Sequence, residues 1–503
     1  MSGPPGNALD LCALDLCADL WALDLRQQRA VEAPGPVVAV VAPPGSGKTR
    51  VLVERIRHRL AGRASPHRTV ALTFTRSAAN ELSSRLGPVG HDLIIGTTHA
   101  LALRMLQRRW ADAGRRAPRV TPSIRKLVTS AVTTVYGPGT EPVVPYVEAE
   151  LAHAASLGVP PHQLSDPAVS AVAAEVGRLK RRRGIIEFSD LLTQANEALA
   201  ADHRWRDAMR WRHRHIHVDE AQDLTPVQVR FISLLLGDEP DLFAVGDPDQ
   251  SVYGWAGADH DVFTPQSSLF AGADWFELHR THRCPAPVLA AAVGVLGPHR
   301  RGPTAEAATG SPHGAPPVSH TVFSTTDAEL ASLPGRVDAH RSTAVLARTN
   351  EMAAAAAAAL GRSGVEVSPV DEIGSRAVAV GTFHAAKGRE WQDVHLVGVC
   401  DGLVPHHTAR DDAAVAEERR LLYVAITRAA NRVTLSSPRS IGGRGVRPCP
   451  WITHVEAVDA VEAVDAVEAV DAASDPRVER LNEARAALAQ AKRRSRIERL
   501  AGG

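Results

Sequence analysis

Residues 37–49 read Val-Val-Ala-Val-Val-Ala-Pro-Pro-Gly-Ser-Gly-Lys-Thr, and this stretch decides the fold. An apolar run of strand length is followed at once by a glycine-rich turn and then by helical sequence from Arg50. Such a turn lets backbone N–H groups curl around phosphates at the amino end of a helix, where the helix dipole favours negative charge. The stretch therefore predicts a nucleoside-triphosphate loop on an α/β sheet, although Ala42 replaces the usual first glycine.

The polar residues of this loop suit phosphate chemistry. The Lys48 ammonium group balances charge on the β- and γ-phosphates, and the Thr49 hydroxyl is a suitable ligand for Mg²⁺. The loop residues expected to contact the nucleotide are Ala42, Pro43, Pro44, Gly45, Ser46, Gly47, Lys48 and Thr49. A chance glycine turn is the alternative, and a second, acidic motif argues against it.

The acidic motif is the string Asp-Glu-Ala-Gln-Asp at residues 219–223, which directly follows the apolar run 216–218. Asp219 is expected to hold Mg²⁺, and Glu220 to orient and deprotonate the attacking water. An acidic helix cap would explain single carboxylates but not the whole string. The chain has no Asn-Lys-x-Asp string of the kind that reads guanine, so ATP with Mg²⁺ is the expected cofactor pair.

Short apolar runs alternate with helical patterns, which is typical of parallel sheets covered by helices on both faces. A first series of runs lies at residues 37–41, 70–73, 93–95, 216–218 and 242–245, and a second lies at 344–347, 378–381, 394–397 and 433–436. The first series is interrupted by Arg-rich sequence without a strand pattern. We therefore expect an α/β protein of two domains, with an all-helical insertion in the first.

The predicted boundaries follow from these series. They are a first domain at 23–106 and 186–275, a helical insertion at 107–185 and a second domain at 276–440. Residues 1–22 form a low-complexity segment, and residues 441–503 are predicted to be a low-complexity linker followed by a basic helix. That helix offers a contact for nucleic acid or for an accessory protein, whereas a solvated charged face is the simpler interpretation.

Composition narrows the class of protein. The formal net charge of the 503 residues is only +1, so affinity for a polyanion has to come from local sites. The five cysteines contain no Cys-x-x-Cys pair, which favours neither a zinc cage nor a disulfide framework. The sequence shows no export-signal pattern and no apolar run of membrane-spanning length, so a cytoplasmic protein without a membrane partner is expected.

Further motifs follow in a fixed order. They are Val-Gly-Asp-Pro-Asp-Gln-Ser-Val-Tyr-Gly-Trp at 245–255, Leu-His-Arg-Thr-His-Arg at 278–283, Gly-Thr-Phe-His-Ala-Ala-Lys-Gly-Arg-Glu-Trp at 381–391 and Glu-Glu-Arg-Arg-Leu-Leu-Tyr-Val-Ala-Ile-Thr-Arg-Ala at 417–429. With the segment 23–31 around Gln27, this set resembles the UvrD/Rep family of superfamily 1 helicases. The resemblance implies two RecA-like P-loop NTPase domains, with ATP in the cleft between them and single-stranded DNA across the top.

The resemblance also implies roles for residues outside the loop. The implied nucleotide contacts are the adenine reader Gln27, the base-flanking residues Arg50 and His282, and the ribose partner Glu390. Gln250 would sense the γ-phosphate. Arg283 and Arg428 would act as arginine fingers of the second domain when the cleft closes. The predicted catalytic set consists of Lys48, Glu220, Gln250, Arg283 and Arg428.

For the DNA strand, the resemblance implies contacts from aromatic rings, hydroxyl groups and imidazoles at Phe74, Thr75, Thr97, His99, Tyr253, Trp255, Thr382 and His384. Aromatic rings stack on any base, which suits a motor that steps along arbitrary sequence. A buried core position is the alternative for Trp255. The interleaved Arg and Trp residues of 204–212 are instead predicted to form an amphipathic helix on the first domain.

The implied activity is that of an ATP-dependent 3′–5′ DNA helicase or single-stranded DNA translocase in DNA repair or recombination, acting on single-stranded or tailed duplex DNA. RNA is an open alternative as the track, because stacking and phosphate contacts barely distinguish the two sugars. The sequence departs from the family in Ala256 and His282, and in the short segment 351–380, where relatives usually carry a large helical subdomain. The alternative function is therefore a DNA-dependent ATPase that serves as an accessory or regulatory subunit without processive unwinding.

Overall fold

The computed structural model describes residues 23–307, 317–372, 377–455 and 457–459. The predicted low-complexity segment at 1–22, and the predicted basic helix with its possible partner contact near the carboxyl end, fall outside the described residues. Two parallel β-sheets, each covered by helices, account for most of the described chain. The predicted α/β class is confirmed.

The first domain starts with the elements α1 (Leu25–Glu32), β1 (Val37–Val41), α2 (Lys48–Ala61), β2 (Thr69–Leu72), α3 (Arg76–Leu86), β3 (Ile94–Gly96) and α4 (Thr98–Asp112). The insertion follows with β4 (Arg119–Thr121), α5 (Arg125–Tyr136), α6 (Val144–Leu157), α7 (Pro167–Arg183) and β5 (Ile185–Glu187). The chain then returns to the first domain with α8 (Asp190–Ala201), α9 (His203–Arg212), β6 (His215–Val218), α10 (Pro226–Leu236), β7 (Leu242–Gly246) and β8 (Asp274–Glu277).

The first sheet has the strand order β3-β2-β6-β7-β1-β8, and all of its strand pairs are parallel. Its interior strand β1, which lies between β7 and β8, is buried along its whole length because helices cover both faces of the sheet. Parallel strands bring their carboxyl ends to one edge, so the segments after β1, β6 and β7 meet there. Those segments carry the phosphate loop, the acidic string and Gln250.

The insertion has its own apolar core, built from α5, α6 and α7. It is not entirely helical, which corrects the sequence-based expectation: β4 and β5 form a small parallel two-stranded sheet where the insertion joins the first domain. Each of these strands has only three residues, which is too short to give a periodic pattern.

The second domain comprises β9 (Arg280–Thr281), α11 (Ala286–Leu296), β10 (Glu306–Ala307), β11 (Val318–Phe323), α12 (Thr326–Ala331), β12 (Thr343–Ala347), α13 (Asn350–Arg362), β13 (Val367–Pro369), β14 (Val378–Thr382), β15 (Trp391–Val397), α14 (Asp412–Ile426), β16 (Ala429–Pro438), β17 (Ser440–Ile441), β18 (Arg444–Gly445) and β19 (Ala457–Asp459). Its parallel sheet has the order β13-β14-β12-β15-β16-β11-β19, with apolar clusters on both faces.

Two predicted boundaries of the second domain are wrong in detail. Strand β8 extends to Glu277 and pairs with β1, so the first sheet continues beyond the expected start of the second domain at residue 276. The predicted linker from residue 441 also starts too early, because Trp451 and Ile452 are buried in the second core and β19 is the edge strand of the second sheet. The second domain therefore extends beyond the β17–β18 hairpin, because the apolar residues Trp451 and Ile452 that follow the hairpin pack into its core.

Candidate nucleotide cleft and strand-binding face

The phosphate loop joins β1 to α2 through two glycines in left-handed backbone conformations. Gly47 caps α2 with a φ of 86°, a conformation that residues with a side chain rarely adopt. At Gly45 a methyl group would lie 2.4 Å from the Arg283 Cβ. The loop therefore needs glycine at Gly45 for a second reason, which is that the second domain approaches the phosphate site there.

Hydrogen bonds from both sides hold this loop. The Ser46 hydroxyl donates to the Pro43 carbonyl at 2.7 Å, and the Lys48 ammonium donates to the Ala42 carbonyl at 3.1 Å. The Gln27 amide donates to the Ser46 carbonyl at 2.9 Å, and its oxygen accepts the Asp24 N–H at 3.0 Å. The side chain predicted to read adenine is thus buried in this structure and braces the loop.

Strand β6 ends in the two carboxylates that the sequence assigns to metal binding and catalysis. The Thr49 hydroxyl donates to Asp219 Oδ2 at 3.4 Å, which places the two predicted metal ligands side by side. Glu220 has a φ of 54°, so its backbone is held in a left-handed conformation that costs a residue with a side chain about 1 kcal/mol or more. The Gln222 amide donates to Glu220 Oε2 at 2.6 Å and fixes its orientation.

Burial and neighbouring charges shift the pKa values of Asp219 and Glu220 in opposite directions. Burial, reinforced by the neighbouring Glu220 carboxylate, raises the pKa of Asp219 to about 7. Burial also disfavours ionised Glu220, but Lys48, Lys387 and Arg428 outweigh it and hold the pKa of Glu220 below its usual value. Glu220 is therefore ionised at neutral pH, as a general base must be.

The donor set fits Mg²⁺. A hydroxyl oxygen and a carboxylate oxygen next to a phosphate loop are hard oxygen ligands, and Mg²⁺ commonly takes one or two protein carboxylates together with phosphates and water. No group of three or more His, Cys, Asp or Glu side chains in the described parts of the chain is arranged to hold a metal. Thr49 and Asp219 are thus the residues that would hold Mg²⁺ beside the phosphate loop.

The opposite wall of the cleft includes β9 and the segment that follows it. The Thr281 hydroxyl donates to the Pro44 carbonyl at 2.7 Å, and the His282 N–H donates to the Gly45 carbonyl at 2.8 Å, so this segment touches the phosphate loop directly. Arg283 forms a two-point ion pair with Glu390, with its Nε at 2.7 Å and its Nη2 at 2.6 Å from Oε2. These two predicted nucleotide contacts bind each other in this structure.

The second predicted arginine finger is held differently. Arg428 is almost completely buried, and its Nη2 donates to Gln250 Oε1 at 3.2 Å. The Gln250 amide nitrogen in turn donates to Asp247 Oδ2 at 2.6 Å. Burial, with help from nearby Arg283, lowers the pKa of Arg428 to about 10, which leaves the guanidinium charged at neutral pH. Gln250 therefore connects the carboxyl end of β7 to the second domain.

Lys387 completes this connection, and sequence reasoning gave it no role. Its ammonium group forms an ion pair with Asp223 and donates to the Gln250 carbonyl at 2.7 Å. It also lies 4.8 Å from the centre of the Tyr253 ring. Burial raises the pKa of Asp223 to about 7 although Lys387 opposes the shift. Lys387 and Asp223 both lie in motifs that the sequence analysis identified. That membership was the one signal in the sequence that could have pointed to a role for them.

A cavity of about 770 Å³ lies between the two walls. The predicted residues that line it are Pro44, Gly45, Gly47, Lys48, Thr49, Arg50, Glu220, Gln250, His282, Arg283, Glu390 and Arg428. Ala42, Ser46 and Asp219 are buried behind this lining. Sequence reasoning missed Glu81, Arg85, Arg389 and Asn431, which also line the cavity and lie outside any phosphate or acidic motif.

The predicted strand contacts form an aromatic row that crosses from the first domain to the second. Phe74 stacks on Tyr253 with ring centres 4.7 Å apart, and Tyr253 and Trp255 pack edge to face with ring centres 6.4 Å apart. His384 also packs edge to face with Trp255, with ring centres 6.3 Å apart, and ends the row on the second domain. Trp255 is 69% exposed, so the structure does not bury it in the core. Its indole is therefore available to a ligand.

The other predicted strand contacts are occupied locally. The hydroxyls of Thr75, Thr97 and Thr382 each accept a backbone N–H three residues later, at 3.1 to 3.3 Å. Burial lowers the pKa values of His99 and His384 to about 4, so both imidazoles are neutral at pH 7. A DNA strand would therefore meet uncharged side chains at these positions and not cationic ones. At Thr75 and Thr97 it would also meet the amino ends of α3 and α4.

Phe188 is a further aromatic residue that sequence reasoning missed. It stacks on His99 with ring centres 4.5 Å apart and is 41% exposed. It stands between the insertion and α8, far in sequence from His99, and nothing in its immediate neighbourhood signals the pairing.

Two parallel-sheet domains, with a phosphate loop and acidic strand end facing arginines across a cleft, define a two-domain P-loop NTPase. The model of the UvrD/REP helicase N-terminal domain matches residues 23–271, and that of the UvrD-like helicase C-terminal domain matches residues 370–440. The chain belongs to the UvrD/Rep family of superfamily 1 helicases. No helix among the described residues is long and apolar enough to span a bilayer.

The individual relatives that the chain resembles are also named as DNA helicases. The chain is similar to ATP-dependent DNA helicase UvrD2 of Mycobacterium tuberculosis (strain ATCC 25618 / H37Rv), with 29% identity over 570 residues that cover 84% of this chain and 80% of the relative. It is 30% identical to DNA helicase II of Escherichia coli K12 over 307 residues, covering 56% of this chain and 41% of the relative. The mycobacterial alignment is longer than the whole chain, so that relative has residues that this chain lacks.

Proposed function

We propose that this protein is an ATP-dependent motor that moves 3′ to 5′ along single-stranded DNA and separates tailed duplexes during DNA repair or recombination. The observation that carries the proposal is the position of Lys387. It binds Asp223 and the Gln250 carbonyl at the nucleotide cleft, and it lies against the Tyr253 ring of the aromatic row. A rearrangement of the groups around the nucleotide is therefore transmitted to the aromatic row through the Lys387 side chain.

The hydrolysis chemistry rests on groups of both walls. Glu220, ionised and oriented by Gln222, takes the proton of the water that attacks the γ-phosphate. Lys48 stabilises the charge on the transferred phosphoryl group from the first wall, and Arg283 and Arg428 do so from the second. Thr49 and Asp219 would hold Mg²⁺, which would supply further neutralisation of the phosphate charge.

Movement follows from an exchange of partners on the second wall. Arg283 is paired with Glu390, so a nucleotide has to compete for that arginine. Because Gln250 is bonded to Arg428 and Lys387, repositioning of the second wall around a γ-phosphate also displaces Tyr253 relative to Phe74. Repeated closing and opening then shifts a strand stacked on this row.

An accessory role is the second candidate, and the short connection between α13 and β14 favours it. Only β13 lies there among the described residues, where relatives of the family usually carry a helical subdomain. A motor without that subdomain would hydrolyse ATP and move on a single strand but need another protein to separate a duplex.

Displacement of streptavidin from biotinylated oligonucleotides tests direction. We expect ATP-dependent displacement from the 5′ end and none above background from the 3′ end, and Lys48→Ala should abolish it. Displacement only from the 3′ end would contradict the proposed direction, and displacement from neither end would contradict translocation. Separation of a 3′-tailed duplex by the purified protein supports the helicase, whereas translocation without separation supports the accessory role.

A further inference from the structure

A second cleft, of about 790 Å³, lies where the insertion joins the first domain. It is lined by α4 and α8 of the first domain, by the carboxyl end of α7, by β5 and by the loop before β4. Five arginines dominate its charge, and we call it the arginine cleft after them: Arg115, Arg116, Arg119, Arg181 and Arg183. All five side chains are exposed.

The positive charge of the arginine cleft is not neutralised by its surroundings. None of its five arginines forms an ion pair with any residue that the structure describes. The carboxylate that lines the cleft, Asp190, is engaged by Lys180 at 2.9 Å, and the same ammonium group binds Glu187 at 2.5 Å. Like charges that line one cleft without counter-ions repel each other until an anion enters. The chain's net charge of +1 makes this a local feature.

The arginine cleft adjoins the strand-binding face. Ile186 lines the cleft, and Phe188 follows it by two residues, roughly 7 Å along extended chain. Phe188 stacks on His99, and His99 belongs to the same helix, α4, as the cleft residue Trp110. The same two segments therefore present aromatic rings at one end and arginines at the other.

We propose that the arginine cleft binds the phosphodiester backbone of a nucleic-acid strand that continues past His99 and Phe188. Guanidinium groups pair with phosphates through two parallel hydrogen bonds, and backbone contacts of this kind carry no sequence preference. The cleft thus lengthens the strand site and slows release of the strand. This inference rests on the proposed strand-translocating function.

The test compares oligothymidylates of two lengths by fluorescence anisotropy over a range of salt concentrations. A short one of about 8 nucleotides covers the aromatic row only, and one of about 20 nucleotides also reaches the arginine cleft. The variant is Arg115→Gln/Arg116→Gln/Arg183→Gln. We expect it to bind the longer strand about tenfold more weakly and to lower the slope of log K against log salt by about 2, at about 0.7 per lost phosphate contact.

The short strand should bind the variant and the wild type alike, and ATPase activity without DNA should be unchanged. The matched control is Arg63→Gln/Arg362→Gln/Arg444→Gln, which removes three exposed arginines outside the cleft and should keep wild-type binding and slope.

Three results would overturn the proposal. A cleft variant that binds the longer strand with wild-type affinity and salt slope would do so, as would equal weakening of both lengths. Loss of binding to polyglutamate with unchanged DNA binding would assign the cleft to an acidic protein instead. In each of these cases the wild type still binds DNA, whereas a wild type that binds neither length overturns the translocation proposal together with this one.

Discussion

The two walls of the nucleotide cleft differ in how their functional groups are held. On the first wall, the phosphate loop, Asp219 and Glu220 are fixed by strand ends and local hydrogen bonds. On the second wall, Arg283 is satisfied by the largely exposed Glu390. The first wall is thus prepared before a nucleotide arrives, and the second has to exchange partners.

The difference has a physical purpose in a motor. A rigid wall keeps the attacking water and the γ-phosphate aligned, because small displacements at reacting atoms cost much of the rate. A wall whose arginine leaves a carboxylate partner for a phosphate of the nucleotide converts nucleotide binding into domain movement. Lys387 and Arg428 join the walls through Gln250, and under the proposed function this connection transmits the movement to the aromatic row.

The largest expected effect comes from removing the exchanging group. Arg283→Ala should lower the DNA-stimulated kcat for ATP by about 1,000-fold, because an arginine finger stabilises charge that develops on the transferred phosphoryl group. Steady-state ATPase measurements would show this. Arg280→Ala is the matched control, since Arg280 is exposed, lies three residues away and does not line the cavity. A kcat for Arg283→Ala within about threefold of wild type would leave the second wall without a catalytic role.

A smaller effect is expected from breaking the connection between the walls. Lys387→Met should lower the free energy of unfolding by about 3 kcal/mol at pH 8 in urea titrations, because it leaves buried Asp223 without its cation. The loss should be about 1 kcal/mol smaller at pH 6. Without Lys387 the buried Asp223 takes up a proton, and that uptake becomes less costly as the pH falls.

Two variants control this experiment. Lys126→Met removes an exposed lysine and should leave stability unchanged within about 0.5 kcal/mol. Lys387→Met/Asp223→Asn removes both charges and should recover part of the loss. Equal stability of Lys387→Met and wild type at pH 8 would mean that the ion pair does not join the domains.

The smallest expected effect concerns the strand-binding face. Trp255→Ala should weaken binding of single-stranded DNA about tenfold, since stacking on one base contributes about 1 to 3 kcal/mol. Trp211→Ala is the control, because Trp211 is 65% exposed, similar to Trp255, but lies on α9 away from the aromatic row. Anisotropy titrations measure both. Equal affinities of the two variants would remove Trp255 from the strand site.

The sequence predicted the contiguous parts of the molecule well. The runs around β1, β2, β6 and β7 are strands within one or two residues of their predicted bounds, because buried parallel strands are rich in apolar and β-branched residues. Strand β8 escaped notice because it is a half-buried edge strand, Asp-Trp-Phe-Glu, with charged ends. Strand β19 lies in an acidic repeat that resembles a spacer.

The parts of the site that depend on distant pairing could not be read in the same way. The phosphate loop and the acidic string are local motifs, so their chemistry is visible in a few residues. The pair Lys387–Asp223 joins positions 164 residues apart, and the contacts of Arg283 with Glu390 span 107. No local pattern specifies which distant charges meet, because the folding of the second domain decides the Arg283–Glu390 pair and the packing of the two domains decides the Lys387–Asp223 pair.

The coupling of a prepared wall to a bound strand is tested most directly by the ATPase rate of wild type and Glu220→Gln with and without single-stranded DNA. We expect DNA to raise the wild-type rate, and Glu220→Gln to lose at least about 100-fold of the stimulated rate while still binding ATP, because the general base is gone. Glu81→Gln, which removes another carboxylate of the same cavity, should retain it. A wild-type rate that does not respond to DNA, or a Glu220→Gln variant that stays fully active, would contradict the account.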